Sequence, residues 1–183
     1  MDLGDLSAEL FKLRFGEDPT RSREDQERER RETEFNRIND EIAETAALMH
    51  GRESLKVKDP GFDEQAFLAG AADAFLAVRK AAARGDLSTM RSFMSEWCYG
   101  EWSKRRSSSR VTVDRLTVRR LAIVRMMLGS DADSITVRID AHTVTGEPPV
   151  DELWTFMRKP DQLSQPNGSF AWTVASIASI SAG

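Results

Sequence analysis

No two cysteines are available to pair, since Cys98 stands alone among 183 residues. That excludes an internal disulfide and fits a reducing compartment. No run of about 18 apolar residues exists, the length a membrane-spanning helix requires. Charge of one sign is not in excess: 26 basic against 30 acidic residues give a formal net charge of -4. A chain so balanced is not built as a whole to bind nucleic acid. The two histidines, His50 and His142, lie far from each other and from Cys98 in sequence. They suggest no metal site, and no cofactor is expected. No phosphate-cradling glycine–lysine loop, GxGxxG, GxSxG or HExxH motif occurs, so nucleotide, nicotinamide, hydrolase and zincin chemistry have no support. The opening MDLGDLSAELFKLRFGEDP lacks the basic-then-apolar order of a signal peptide and is a poor transit peptide. The expected location is the cytoplasm, with contact to a membrane surface as the variant of that reading.

What is present is 40% hydrophobic and 31% charged, the make-up of a globular domain with a polar appendage. The stretch from Asp59 to Met94 organises the rest. Asp59-Pro60 is a turn dipeptide. Asp63 sits where an N-cap accepts from the first free amides of a helix. Phe62 and Phe67 have the spacing of a hydrophobic staple. Phe67, Ala71, Phe75 and Val78 form one apolar face, while Gly70, Ala74 and Ala77 permit close approach of another element. Gly85 ends the helix in a left-handed conformation. Asp86 caps a shorter helix carrying Leu87, Met90, Phe93 and Met94.

Upstream, Leu3, Leu6, Leu10 and Leu13 predict a short amphipathic helix over residues 3–15. It suits either a membrane surface or the chain's own domain. Gly16 to Thr20 breaks it. A long charged helix follows to His50, its second half striped by Phe35, Ile38, Ile42, Ala46 and Met49. Residues 1–50 are therefore expected as a helical extension, 51–60 as a linker and 61–183 as the main domain. The stripe Phe35, Ile38, Ile42 and Met49 is a candidate contact with a protein partner or a second copy.

Ser95 to Ser109 reads as a third helix of the domain, with Trp97, Cys98 and Trp102 inward and a basic edge of Lys104, Arg105 and Arg106. With Arg110, that edge is a candidate anion-facing patch. The periodicity then changes to alternation. Leu116 to Leu128 reads as a strand with Leu116 and Val118 out of phase with Leu121 and Ile123, which a bulge near Arg119-Arg120 repairs. Ser134 to Val144, Glu152 to Lys159 and Phe170 to Ile180 read as three more strands. Helices first and antiparallel strands afterwards is an α+β order.

Asp59-Pro60-Gly61-Phe62-Asp63, then Phe67, Ala71, Phe75, Ala81 and the Gly85-Asp86 break resemble a known family in order and spacing. So do Glu152 to Arg158, Pro166-Asn167, Trp172, Val174 and Ile177. The family is that of the C-terminal domain of the 44-kilodalton subunit of the mitochondrial inner-membrane import translocase, with its bacterial relatives. The resemblance covers about residues 59–180. It implies helices packed on a curved antiparallel sheet of about four strands, the cone of nuclear transport factor two and of cystatin. It also implies a noncatalytic binding or adaptor role in protein transport or membrane-associated assembly, with a cavity for lipid or a partner segment. Bacterial relatives usually carry an N-terminal membrane helix, whereas this extension is charged.

Inward candidates for such a cavity are Phe67, Ala71, Phe75, Met90, Met94, Trp97, Ile123, Met127, Ile139 and Trp154, a lining suited to acyl chains or a partner's apolar side chains. Asp140 and His142 share one strand face and are the only dyad that would make this a small enzyme of the same cone. The better inward set, Ile135, Val137, Ile139 and Ala141, turns them outward, so no catalysis is expected. A structural dimerisation module through the long helix is the remaining alternative.

Overall fold

The computed structural model describes residues 23–105, 116–143, 149–164 and 171–180. Among these, four helices precede four strands: α1 (Arg23–Lys58), α2 (Glu64–Arg84), α3 (Leu87–Phe93), α4 (Glu96–Arg105), β1 (Leu116–Leu128), β2 (Asp133–Thr143), β3 (Val150–Arg158) and β4 (Thr173–Ser179). The chain divides into two compact units, Met1–Glu44 and Thr45–Gly183. The helix expected over residues 3–15 lies outside the described residues.

The described part of the first unit is helical throughout. Its order is local. Arg31 pairs with Glu27 one turn earlier at 3.5 Å, and Arg37 donates to both Glu34 carboxylate oxygens at 2.9 and 2.6 Å. Exposed pairs of this kind add only a few tenths of a kcal/mol each.

The expected linker over 51–60 is a correction: α1 stays helical to Lys58. Gly51 suggested a break because glycine costs about 1 kcal/mol inside a helix. Here it is buried, and a Cβ built on it would lie 2.8 Å from Met126 Cβ of β1. The absent side chain is what lets helix and strand meet. Leu55, one turn on, is in the core.

The caps of the central helix follow from their residues. The Asp63 carboxylate accepts from the backbone N–H of Gln65 and Ala66 at 2.8 and 3.2 Å. Phe62 and Phe67 meet at 5.7 Å between ring centroids. Gly85 stops α2 at φ 70°, and its N–H returns to the last turn. Asp86 then caps α3 through the N–H of Thr89.

The strands form one antiparallel sheet in the order β1-β2-β3-β4, and the sheet is curved. Register shifts fall between Val118 and Arg120, between Ile123 and Arg125, and between Thr155 and Phe156. Each inserts extra backbone into one strand, which bends it. The first shift lies where the sequence loses phase, and it brings Leu116, Val118 and Leu121 together against the core. On β2, Ile135, Val137, Ile139 and Ala141 are buried as expected from their alternation. At the far border the Ser95 N–H donates to the Val174 carbonyl at 2.8 Å, and Met94 forms a parallel bridge with Val174. The α3–α4 junction thereby covers part of the outer edge of β4.

Candidate functional site

Eight of the ten inward candidates gather in one core: Phe67, Ala71 and Phe75 from α2, Met90 from α3, Met94 after it, and Ile123, Ile139 and Trp154 from the sheet. The aromatic members touch each other edge to face. Phe75 meets Trp154 at 5.2 Å, and Phe67 meets Trp172 at 5.2 Å and Phe156 at 5.7 Å. Such pairs add about 0.5–1.5 kcal/mol beyond burial.

Trp97 and Met127 are corrections. Trp97 is 67% exposed and Met127 59%. Along α4 the inward positions lie four apart, at Cys98 and Trp102, and Trp97 points about 100° away from Cys98. On β1 the shift between Ile123 and Arg125 leaves Ile123 and Met126 inward. Met127 is then next in phase on the outer face. Burial pushes the Cys98 thiol up from its ordinary value, so it stays a packed, protonated group.

The sequence reading missed the charged part of the interior. The inward face of β3 reads Glu152, Trp154, Phe156, Arg158, all buried. Glu152 accepts from Trp154 Nε1 at 2.9 Å and pairs with Arg79 of α2. Arg79 also sits over the Phe75 ring, 5.5 Å from its centroid. At the other end Arg158 lies over Trp172 at 4.6 Å and donates to Asp59 at 2.7 Å. Asp59 also accepts from the Ser164 N–H and hydroxyl at 3.0 and 2.7 Å. Arg158 Nε lies 3.5 Å from Asp133, whose other oxygen takes Lys58 at 2.6 Å. Two acids and two bases thus close on each other where α1 ends, β2 begins and β3 ends. One signal was legible: Glu152 and Arg158 share the parity of Trp154 and Phe156.

Asp140 and His142 alternate with the buried Ile139 and Ala141 and are half-buried on the opposite face of β2. Arg138, of the same parity, donates to Asp151 at 2.9 and 2.6 Å. That pairing raises the Arg138 value and lowers that of Asp151. Nothing in this arrangement holds Asp140 and His142 in a dry pocket, where a catalytic pair is effective. No group of acidic, histidine and cysteine side chains suited to a metal occurs among the described residues.

Of the anion-facing candidates, Lys104 is exposed and bound to Glu101 at 2.6 Å. The Arg105 side chain, Arg106 and Arg110 lie outside the described residues. The helix stripe is open: Phe35 is 64% exposed, Ile42 62%, Met49 58% and Ile38 41%. No described helix is long and apolar enough to cross a membrane.

The Tim44-like domain model matches residues 48–179 of the chain. No curated protein matches it.

Proposed function

The chain belongs to the Tim44-like domain family, whose members are generally noncatalytic and take part in protein transport, and from that premise we propose that it is a noncatalytic binding module that holds a protein partner on the open stripe of α1. One observation carries this. Within the first unit Phe35, Ile38 and Ile42 recur at helical spacing and stand in solvent. Full burial of such a side chain is worth roughly 1.5–3 kcal/mol. A row of them on one helix is a receptive seam of the helix-in-groove kind. The inward candidates support an interior ligand less well, because they contact one another.

A photoreactive residue placed at position 38 in cells tests the reading. The expected result is a recurrent cross-link to one protein of a transport or assembly machinery, lost when Ile42→Asp is added. Adducts scattered over many proteins, unchanged by Ile42→Asp, would remove it.

Contact with anionic lipid is a second reading, favoured by the exposure of Trp97 seven residues before Lys104 on α4. An indole with a cation on the same helix face suits a headgroup layer. Flotation with cardiolipin-rich vesicles at low salt, wild type against Trp97→Ala, decides it. Absence of flotation sinks this reading and leaves the first intact.

A further inference from the structure

We propose that the outer side of β1 is a docking surface for a narrow acidic segment of a partner protein, held by Arg119, Arg120 and Arg125. This surface belongs to the second unit, and its assignment does not rest on the stripe of α1.

The two register shifts of β1 create it. An ordinary strand alternates inward and outward, so two successive exposed residues require extra backbone. Arg119 and Val124 are the residues that the pairing with β2 passes over. Arg119 and Arg120 are consequently both exposed, and so are Val124 and Arg125. Arg120 stands across from Asp140 and Arg125 across from Thr136. Both therefore lie on the face opposite the buried Ile135, Val137 and Ile139.

The three arginines stand without partners. Elsewhere in the second unit Arg52, Arg91 and Arg138 each grip a carboxylate through Nε and Nη2, on Glu64, Glu96 and Asp151. Among the described residues Arg119, Arg120 and Arg125 take part in no ion pair and no side-chain hydrogen bond. Three guanidinium forks are thus left open on one strand, and such a fork fits a carboxylate at two points. Val124, 38% exposed, and Met127, 59%, add apolar surface on the same strand.

Width decides the kind of anion. The open arginines occupy a border strand of the sheet. Across β2, β3 and β4 the outer face carries Asp140 and the closed Arg138–Asp151 pair, and no unpaired lysine or arginine among the described residues. A headgroup layer or a nucleic-acid duplex is broader than the sheet, about 14 Å across, and would lie on Asp140 as well. A single nucleic-acid strand binds by stacking on aromatic rings, and β1 has none. A segment one chain wide meets the arginines and clears the acid. It docks through side chains, because the shifts interrupt the ladder that a further strand would need.

The test titrates the full chain with fluorescein-labelled peptides of about ten residues, read by anisotropy. Each peptide carries two glutamates around one leucine in a serine background, and the separation of the glutamates is varied. Affinity should be greatest near a separation of five, the interval between Arg120 and Arg125, about 16 Å in extended chain. The double variant Arg120→Gln, Arg125→Gln should bind that peptide at least about fivefold more weakly and lose the preference for spacing. Lys80→Gln with Arg84→Gln, which removes two exposed bases of α2 instead, should change neither. Absence of binding, or affinity independent of the separation, overturns the proposal. Both are read on the wild-type chain, whatever the folding of the variant. Equal binding by wild type and double variant also overturns it and leaves the arginines as guards of the strand border. Tighter binding of single-stranded RNA of like length, or of vesicles containing anionic lipid, lost in the same double variant, overturns it in favour of that anion.

Discussion

Arg158 and Asp59 are 99 residues apart in sequence and meet inside the second unit, Arg158 Nη1 donating to Asp59 Oδ2 over 2.7 Å. Their side chains are 1% and 2% exposed. This pair gives a physical reason for the Asp-Pro-Gly-Phe-Asp run. Its first aspartate closes a buried ion pair, and its last caps α2.

Removing one partner of a buried pair leaves an uncompensated charge, which costs about 3–5 kcal/mol. Arg158→Met should lower stability by that amount, since it strands Asp59 and takes the nearest guanidinium from Asp133. Urea denaturation checks it. A loss under about 1 kcal/mol, the worth of a surface pair, would show the site to be wetter than its burial implies.

The same pair predicts sensitivity to acid. Burial pushes the Asp59 carboxyl up, but hydrogen bonds from Arg158 and from the Ser164 side chain and backbone outweigh it and hold the value below 3.8. The folded value lies below the unfolded one. The unfolded chain therefore binds more protons in that window, and stability rises with pH there. The contribution is complete above about pH 5, where the unfolded carboxyl is ionised as well, and disappears as pH falls through the folded value. Asp86, held at about 2 by hydrogen bonds from Thr89 and Ser88, also takes up its proton in acid. The measurement is therefore a difference between wild type and Asp59→Asn. Their urea midpoints should differ by a constant amount from pH 7 to about pH 5 and converge below about pH 4.

Gly51→Ala sets two effects against each other. Alanine gains about 1 kcal/mol of helix propensity. Its Cβ would meet Met126 Cβ at 2.8 Å and the Met126 carbonyl oxygen at 3.2 Å. Neither atom is the loose end of a side chain, so strand or helix must shift, at about 1–3 kcal/mol. The expected result is a net loss of stability in thermal unfolding, opposite in sign to what the same substitution gives on an exposed helix.

Two tryptophans should behave as opposites. Trp154 is fully buried and Trp97 is 67% exposed. Trp154→Ala should cost at least about 3–5 kcal/mol, and Trp97→Ala under about 0.5 kcal/mol. A large loss at Trp97 would mean that something covers it in solution. Ile42→Asp belongs with Trp97: a stability change within about 0.5 kcal/mol, read alongside its effect on binding, separates contact from folding.

The order of helices and strands was legible because the period of the apolar residues changes after Arg110. The limits of β1 were legible too, since a phase break between two apolar runs calls for a bulge. Caps were readable because Asp63, Gly85 and Asp86 each have one physical use in their position. What escaped depends on contacts made across the chain. Gly51 looked like a break because Met126 is 75 residues away. Trp97 and Met127 looked inward because apolar character was read without the phase set by Cys98 and by the bulge at Ile123. Arg158 and Glu152 were not among the inward candidates, although their parity placed them beside Trp154 and Phe156.

The two irregularities of β1 have a further meaning at the border of the sheet. A neighbouring chain seeking to extend the ladder needs a straight row of backbone groups, and β1 offers one that is kinked twice and studded with Arg119, Arg120 and Arg125. At the opposite border the Met94–Val174 bridge stands partly in the way. Fibril-like growth by strand addition is thereby discouraged at both rims, and self-adhesion of the molecule, where it arises, should start from its helices.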